Sequence, residues 1–551
     1  MPTIEISMKT LEKLAKRKVK REDLEYVKGE IEEMSGGRAK IEIGDTNRPD
    51  LWCVEGIARV LRGESMKKIP VKKSGKSIKV DVKMMQIRPF ISGFVAKSVN
   101  IDEDLLLDMI QLQEKINENF GKKRQKISIG IYNYDTIKFP VHYKAVDPAG
   151  TKFIPLGFDE PLTLNEILEK HQKGKDYGYI VRGHNLYPIL VDIKQDVLSF
   201  PPIINSNYLG KVTTGFQNLF VEVTGTDQKA VLLASNIFAY SLHDRGALIE
   251  SVITEYPRKT RFGTSVVSPY DFGETMTFDA SKVEIFLGLN LRDAEIKNLL
   301  EKMQYRAFVK NGSVTVKIPP YRNDIMHYTD VIEDIAIAYG YENISSLEIE
   351  SFTVGKLKNM TFFAEKVRRT MTGAGFLEIM SAILSSKESL CGRMNSESAP
   401  IEIENPMTEN YSCVRDSILP TIMACLAKNM HNEYPQKVFE LGECVIRDGR
   451  SDDGTRTVMK ISAAVSGNDV GYEDISSFAD ALLSCMGIEY EIKAASNPRF
   501  IEGRTGEMFI KGRRCGIVGE IHPKVLNNWF IEKPVAAFEM DVDELMELSK
   551  K

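Results

Sequence analysis

The sequence predicts an α+β protein of several domains, and two observations support this fold class. The chain has 551 residues, which is enough for roughly three to five domains. Strand-like runs and helical stretches also occur together in each part of the chain. The composition, 43% hydrophobic and 27% charged, is ordinary for a globular protein.

The charge and the apolar patterning exclude several classes of protein. A net charge of −4 gives no overall basic field, so any binding of nucleic acid must use local patches. No apolar run approaches the ~20 residues of a membrane span, and the N-terminus lacks the apolar core of a secretory signal. Seven cysteines without a C-x-x-C pair argue against zinc ribbons and disulfides. We therefore expect a cytoplasmic protein that does not bind membranes.

Residues 1–80 are expected to form the first domain, a small α+β unit. Met8–Val27 has the pattern of a basic helix, and Gly36–Gly63 has that of a strand, a turn and a second helix. Asn47 is a suitable N-cap for the second helix. Residues 64–77 are basic and contain Gly and Ser, which is typical of a linker.

Three further domains are predicted at residues 85–270, 275–350 and 355–551. The second alternates short strands with a few helices, one of which would have Thr226 or Asp227 as its cap. The third combines a helix at Asp293–Met303 and a strand at Ser313–Ile318 with an acidic segment. The fourth begins with a helix and continues with strand-rich stretches.

The acidic segment concentrates four carboxylates within eleven positions: Asp324, Asp330, Glu333 and Asp334. After Thr329 the apolar residues have helical spacing, and Asp330 with Glu333 has the spacing of a capping box. Helix capping leaves Asp324 unexplained, because that residue precedes the helix in an extended stretch. If the stretch folds back, all four carboxylates meet and need a positive neighbour. A magnesium ion, Arg322 or a partner's lysine would each supply one.

Motifs of fixed spacing do not assign a chemistry to this chain. The sequence contains no P-loop, no G-x-G-x-x-G fingerprint, no G-x-S-x-G elbow and no H-E-x-x-H. The seven histidines are scattered, which favours structural roles for them.

The acidic segment gives a more specific signal. The run IPPYRNDIMHYTDVIEDIAIAYGYENI resembles the metal-binding domain of the beta subunit of phenylalanyl-tRNA synthetases. In that family P-P-x-R-x-D-I is followed by an acidic helix start and an apolar run that ends in Y-G. The resemblance implies magnesium binding, at a site shared with an alpha subunit, by Asp324, Asp330, Glu333 and Asp334.

Other segments resemble the same family along nearly the whole chain. GDTNRPDLWCVEGIARVLRG is similar to its N-terminal block, VLSFPPIINS and VEVTGTD to the editing domain of its archaeal and eukaryotic type, and KVFELGECV and GIVGEIHPKVL to its C-terminal domain. The resemblance implies a class II synthetase-like, catalytic-like domain with an antiparallel sheet at 355–551. It also implies a small metal-binding α+β domain at 275–350 and an editing, tRNA-binding domain at 85–270.

The function implied by the resemblance is that of a phenylalanine-tRNA ligase. With an alpha subunit, in a heterotetramer of two alpha and two beta chains, the chain would support ATP-dependent attachment of L-phenylalanine to tRNA(Phe). The synthetic active site would lie in the alpha subunit, with ATP as a substrate of the complex. Arg415 would then be a structural or interface residue.

The chain itself is expected to carry a hydrolytic editing site. Tyrosine differs from phenylalanine by one hydroxyl, and an apolar pocket rejects such a substrate by only ~10²-fold. Neutral polar side chains and helix-start N–H groups are able to bind a phenol and orient water. Asn205, Ser206, Thr224 and Thr226 lie in suitable segments, although turn and cap roles account for the same residues. Tyr132, where related sequences tend to have histidine, is assigned no catalytic role.

Contacts with tRNA phosphates are expected at two basic stretches, Lys9–Arg21 and Lys122–Lys126, although charged stretches are usually solvated faces. Two alternative functions remain open. The chain would be a free-standing hydrolase that clears mischarged tRNA, or a non-enzymatic tRNA-binding protein on a synthetase fold. An exposed apolar face on residues 275–551 would favour the heteromeric ligase, because such a face needs a partner.

Overall fold

A computed structural model describes residues 1–349 and 351–549, and the chain divides into two compact units, Met1–Glu348 and Ile349–Lys551. Both units contain helices and several sheets, so the multidomain α+β class is confirmed. Among the described residues, no helix is long and apolar enough to cross a membrane. All seven cysteines are free thiols.

The N-terminal part of the first unit is a three-stranded antiparallel sheet of order β1-β3-β2 with two helices. Its elements are β1 (Thr3–Ser7), α1 (Met8–Ala15), β2 (Gly29–Ser35), β3 (Arg38–Ile43) and α2 (Val54–Leu61). Helix α1 is shorter than the predicted Met8–Val27, because Lys16 adopts a left-handed conformation with φ 58° and ends it. The N-cap of α2 is Cys53 and not the predicted Asn47, because residues 49–51 first form a separate 3₁₀ turn.

The central part of the first unit is a ten-stranded sheet of order β12-β11-β10-β7-β4-β14-β5-β13-β6, with β15 paired to β14. Its strands, together with the two-stranded sheet β8-β9, are β4 (Val71–Val80), β5 (Phe90–Lys97), β6 (Ile127–Asn133), β7 (Val141–Val146), β8 (Lys152–Phe153), β9 (Leu162–Thr163), β10 (Tyr187–Val191), β11 (Val197–Phe200), β12 (Ile204–Asn205), β13 (Leu219–Gly225), β14 (Leu248–Thr260) and β15 (Gly263–Ser268). Its helices are α3 (Glu103–Lys115), α4 (Leu164–Lys170), α5 (Gln172–Tyr177) and α6 (Gln228–Asp244).

The prediction of a linker at residues 64–77 is wrong from Val71 onward, where the chain forms strand β4. Strand β4 lies inside the central sheet, parallel to both β14 and β7. Its lysines Lys72 and Lys73 are exposed, whereas Ile78 and Val80 are buried. The strand therefore carries its basic residues at one end and its core residues at the other, and the basic end obscured the strand pattern.

The third part of the first unit is a three-stranded antiparallel sheet of order β16-β18-β17 packed with three helices. Its elements are β16 (Thr275–Asp279), α7 (Ser281–Leu287), α8 (Asp293–Lys302), β17 (Arg306–Lys310), β18 (Ser313–Lys317) and α9 (Tyr328–Tyr339). As predicted, α9 ends at Gly340, whose φ of 93° favours glycine.

The second unit is built on a seven-stranded sheet of order β19-β23-β24-β28-β27-β26-β25. Every pair in it is antiparallel except β19 with β23. The strands of this unit are β19 (Leu377–Glu378), β20 (Leu384–Ser385), β21 (Ile401–Glu402), β22 (Cys413–Val414), β23 (Gln436–Arg447), β24 (Thr455–Ser466), β25 (Glu491–Ala494), β26 (Phe500–Ile510), β27 (Arg513–Ile521) and β28 (Val535–Asp541); β20, β22 and β21 form a separate small sheet.

Five helices pack on that sheet and form two separate apolar cores with it. They are α10 (Asn359–Gly373), α11 (Leu419–Lys428), α12 (Tyr472–Cys485), α13 (Pro523–Asn528) and α14 (Val542–Ser549). Helices α10, α12 and α14 share one apolar core with the sheet, and α11 and α13 share the other. An antiparallel sheet with helices on both faces agrees with the predicted architecture.

Candidate functional site

Two of the four predicted metal ligands share one buried arginine. Asp334 on α9 accepts hydrogen bonds from Tyr305 Oη and Arg322 Nη1, both at 2.6 Å. Arg322 Nε lies 3.0 Å from Asp324 Oδ1. Arg322 is only 4% exposed, so one buried guanidinium is shared by two carboxylates and neutralises half of their charge.

The N-terminal part contributes a second arginine to this ionic cluster, which comprises Arg48, Asp50, Arg322, Asp324 and Asp334. Arg48 donates to Asp50 at 2.8 and 2.9 Å, and its Nε lies 3.6 Å from Asp324 Oδ1. Burial alone would raise the pKa of Asp324, but the attraction of Arg322 and Arg48 outweighs burial and lowers that pKa to about 2. The charges of the cluster are thus largely balanced within the fold.

The other two predicted ligands make separate contacts. Asp330 Oδ2 accepts from the backbone N–H groups of Met326 and His327, both at 2.7 Å. The capping box therefore joins Asp330 to His327 and not to Glu333, because α9 begins at Tyr328. The exposed Glu333 pairs instead with Lys28 of the N-terminal part, at 2.8 Å.

This arrangement does not fit a magnesium site made by all four carboxylates. Over residues 1–349 and 351–549, no group of three or more His, Cys, Asp or Glu side chains is placed to hold a metal ion. The guanidinium of Arg322 supplies the positive charge that Asp324 and Asp334 require. Magnesium binding by Asp324, Asp330, Glu333 and Asp334 stays a prediction from the family resemblance.

A small polar cavity of about 100 Å³ lies in the central part, where β11, β12 and β13 meet. Its polar lining residues are Gln113, Arg124, Ser128, Lys173, Ser199, Asn205 and Glu222. The cavity is smaller and more polar than a usual ligand site, and its convergent polar groups make it a candidate for binding a polar group.

Glu222 is the acidic residue in the lining of this polar cavity. Its Oε1 accepts a hydrogen bond from the phenol of Tyr132 at 2.8 Å, and Ser199 Oγ lies at the same distance from that phenol. Its Oε2 has no hydrogen-bond partner in the part of the chain that the structure describes. Burial raises the pKa of Glu222 to about 7, although the hydrogen bond from Tyr132 opposes the rise. At Gly130 a Cβ would lie 2.5 Å from Glu222 Oε1, so this position requires glycine.

The structure does not bring the four predicted editing residues together. Asn205 lines the polar cavity, and its Nδ2 makes only long contacts of 3.4 Å with two backbone carbonyls. Ser206 is buried and accepts from Leu209 N–H, which is a turn contact. Thr224 is buried against Ser128 and the guanidinium of Arg88.

Thr226 lines a different space, an open basic cleft of about 560 Å³. Lys122, Lys126, Tyr179 and His184 line the same cleft. Asp227, next to Thr226, is the N-cap of α6 as predicted, with its side chain accepting from Ala230 N–H at 3.1 Å.

The two predicted basic stretches are only partly available to bind phosphates. Lys122 and Lys126 reach the basic cleft, but Arg124 is buried and donates to the carbonyls of Pro202 and Ile203. Along Lys9–Arg21 the helix ends at Ala15, and the following basic residues Arg17 and Lys18 pair with acids.

Glu222 and Arg124 are candidate site residues that the sequence patterns did not single out. For Glu222 a signal was available, because a carboxylate stands in the otherwise apolar strand β13, every residue of which is buried. A charge that is forced into such a strand needs a special partner or a function. For Arg124 the signal was hidden, because it belongs to a run of four basic residues within five positions.

Arg415 has a structural environment. It is 1% exposed and pairs with the equally buried Glu440 at 2.7 Å. A side chain enclosed in this way agrees with the predicted structural role.

The second unit exposes an apolar face. Met380 and Met407 are each 97% exposed, and other large apolar side chains with exposures of 43 to 91% are Phe352, Val354, Leu377 and Leu384. Single exposed apolar residues are ordinary, but several within residues 352–407 make this part of the chain a candidate for contact with another molecule.

Two family models match the chain. Residues 276–341 match the tRNA synthetase B5 domain, and residues 345–542 match the phenylalanyl tRNA synthetase beta chain CLM domain. The phenylalanine--tRNA ligase beta subunit of Pyrococcus horikoshii is 40% identical over 98% of this chain and 99% of its own length, and that of Pyrococcus abyssi is 39% identical with the same coverage. The crystal structure of an N-terminal fragment of the phenylalanyl-tRNA synthetase beta subunit from Pyrococcus horikoshii covers 62% of this chain and all of that fragment, with 40% identity and a TM-score of 0.59.

Proposed function

Because this chain belongs to the family of phenylalanine–tRNA ligase beta subunits, we propose that it supports the attachment of L-phenylalanine to tRNA(Phe) in complex with an alpha subunit. The observation that carries this function is an identity of 40% that extends over 98% of the chain. A relationship along the whole length covers every domain, whereas a shared domain alone would also suit a free-standing hydrolase.

The exposed apolar face at 352–407 supports the need for a partner. Side chains such as Met380 and Met407 are unfavourable in water, and contact with another subunit would remove them from it. We propose the alpha subunit as that partner, in a heterotetramer of two alpha and two beta chains in the cytoplasm. ATP is the substrate and magnesium the cofactor of this complex. Arg322 and Arg48 already pair with the carboxylates of the ionic cluster, and no catalytic step is assigned to it.

We further propose that the polar cavity is the editing site for Tyr-tRNA(Phe). The hydrogen bonding of Glu222 supports this assignment, because its Oε1 accepts from the phenol of Tyr132 while its Oε2 has no partner in the described part of the chain. The phenol of a mischarged tyrosine would donate to Oε2. Phenylalanine lacks the hydroxyl and would leave Oε2 without a donor, and such a buried acceptor discriminates strongly between the two.

The basic cleft supports the same function from the side of the nucleic acid. Lys122 offers a positive charge to phosphates, Lys126 shares its charge with Asp227, and the half-exposed ring of Tyr179 is available for stacking on a base. Gln125, which also lines this cleft, donates to the hydroxyl of Tyr179 at 3.0 Å and neighbours Arg124 of the polar cavity. We therefore propose that the 3′ end of tRNA reaches the polar cavity through this cleft.

The test of the editing site is the substitution Glu222→Gln in the assembled enzyme. Glutamine keeps the size of the side chain but is a weaker acceptor than a carboxylate, so we expect hydrolysis of Tyr-tRNA(Phe) to fall about tenfold or more. Attachment of phenylalanine should not change. The matched control is Glu255→Gln, which removes an exposed carboxylate of β14 outside the cavity. Hydrolysis at the wild-type rate in Glu222→Gln would rule out this site.

A further inference from the structure

We propose that the chain has a second ligand site, for a phosphate-type anion, in a cavity where the three parts of the first unit meet. This junction cavity has a volume of about 210 Å³. Its lining includes Lys16 after α1, Arg59 and Arg62 on α2, residues 64–69, His243 and Asp244 on α6, and Gln304 with Tyr321. The proposal does not depend on the editing site, which lies elsewhere in the unit and shares no lining residue with this cavity.

The first observation is a buried guanidinium with a donor left over. Arg59 is 8% exposed, and its Nε donates to Asp244 at 2.8 Å. The centre of its guanidinium lies 4.5 Å from the centre of the Tyr321 ring. Its Nη2 has no hydrogen-bond partner among residues 1–349 and 351–549. A buried donor of this kind is costly unless something in the cavity accepts from it.

The second observation is an amide with a donor left over in the same cavity. Gln304 is 2% exposed, and its Oε1 accepts from Tyr321 Oη at 3.0 Å. In this orientation of the amide Nε2 is the remaining group, and it has no partner within the described part of the chain. Both unsatisfied groups are therefore donors, so the group that completes the cavity must be rich in acceptors.

The charges around the cavity favour an anion as that group. Five basic side chains line it, namely Lys16, Arg59, Arg62, Lys67 and Lys68, against the two acids Glu64 and Asp244, which leaves 5 − 2 = +3 with His243 neutral. Glu64 is shared by Lys67 at 3.1 Å and Lys16 at 4.0 Å, and Asp244 is shared by Arg59 and Arg62, each at 2.8 Å. Lys68 pairs with Asp271, which lies outside the lining, and counting that acid still leaves +2.

Phosphate meets these requirements better than water or chloride. It offers several acceptor oxygens for Arg59 and Gln304 together, and its double negative charge balances the excess of the lining. A water molecule would satisfy donors but leave the charge, and chloride would offer one atom to two fixed donors. The chemical class is therefore a phosphate monoanion or dianion, either inorganic or carried by a small organic molecule.

The test is binding of inorganic phosphate to the full chain, by calorimetry at constant ionic strength with chloride as the comparison salt. Gln304→Glu keeps the shape of the side chain and the acceptor for Tyr321 but replaces the free donor by a negative charge. Lys67→Glu reverses a lysine whose side chain is 83% exposed, so the fold is not affected. We expect each to raise the dissociation constant about tenfold or more. The matched control is Lys73→Glu, an exposed lysine of β4 with the same charge change outside the cavity, which should bind as the wild type does.

Two results would overturn the proposal. One is wild-type protein that binds phosphate no better than chloride. The other is equal loss of binding in Lys73→Glu and Lys67→Glu, which would mean attraction by net charge alone. Glycerol phosphate in a parallel titration distinguishes the source of the ligand: tighter binding than inorganic phosphate indicates a phosphorylated small molecule, and equal or weaker binding indicates the inorganic ion.

Discussion

The buried carboxylate of Glu222 gives the polar cavity a dependence on pH. Its pKa of about 7 means that it is protonated in acid and ionised above neutrality. Only the ionised form is a strong acceptor for the phenol of a mischarged tyrosine. We therefore expect hydrolysis of Tyr-tRNA(Phe), corrected for the uncatalysed reaction, to rise as the pH passes through about 7.

The same measurement on Glu222→Gln is the control for this pH dependence. An amide does not titrate in this range, so the rise in hydrolysis with pH should vanish from the variant.

The free energy of unfolding of the wild-type chain should fall as the pH rises, opposite to the rate of hydrolysis. Between an unfolded pKa of about 4.3 and the folded pKa of about 7, the folded chain binds the proton more strongly, so this group lowers stability as the pH rises. A hydrolysis profile that is identical in both proteins would exclude Glu222 as the titrating group.

Single residues were predicted well where their role is local and poorly where it depends on distant partners. Asp227 and Gly340 were predicted at their helix ends, because caps follow from adjacent sequence. The partners of Asp324 were harder to predict. Arg322 was one of three alternatives for its positive neighbour, but Arg48 is 276 positions away in the chain and was not considered. Spacing within one segment carries no information about a contact of that kind.

At the scale of one element, helix α6 depends on its cap. The Asp227 side chain accepts from Ala230 N–H at 3.1 Å and pairs with Lys126 at 3.2 Å, and α6 is a largely buried helix of 17 residues. Asp227→Ala should lower the free energy of unfolding by about 1 kcal/mol, within a range of about 0.5–2 kcal/mol. Urea unfolding of the full chain measures this change. Asp227→Asn retains the acceptor and should lose much less, so equal losses in both variants would contradict a capping role.

Helices and strands were predictable from sequence when their own residues show the full hydrophobic periodicity of the element. Helix α8 was predicted within one residue, because its apolar spacing is regular. Strand β4 was mistaken for a linker, because its first half, Val71–Ser77, is basic and its hydrogen-bond partners come from β14 and β7. Helix α1 was predicted too long, because the basic residues after Ala15 are good helix formers in isolation, although the chain turns at Lys16.

For the whole molecule, the exposed apolar face at 352–407 predicts dependence on the partner subunit. The double substitution of Met380 and Met407 by lysine should raise the dissociation constant for the alpha subunit by about tenfold or more, because apolar contacts at the centre of an interface dominate its energy. Titration of one subunit against the other measures it. Met34→Lys, at a methionine of β2 that is 58% exposed in the first unit, is the control and should leave assembly unchanged. Unchanged assembly in the double variant would place the interface elsewhere.

The ionic cluster has a consequence for how this protein can be divided and recombined. It joins Arg48 and Asp50 to Arg322, Asp324 and Asp334, so a piece cut out at 275–350 would bring an arginine and two aspartates to its new surface. All five residues of the cluster belong to the first compact unit, Met1–Glu348. We therefore expect the first unit to be exchanged as a whole, in evolution or in a designed chimera. Replacing everything after residue 348 would keep the ionic cluster intact, whereas replacing one part of the first unit would separate its charged residues.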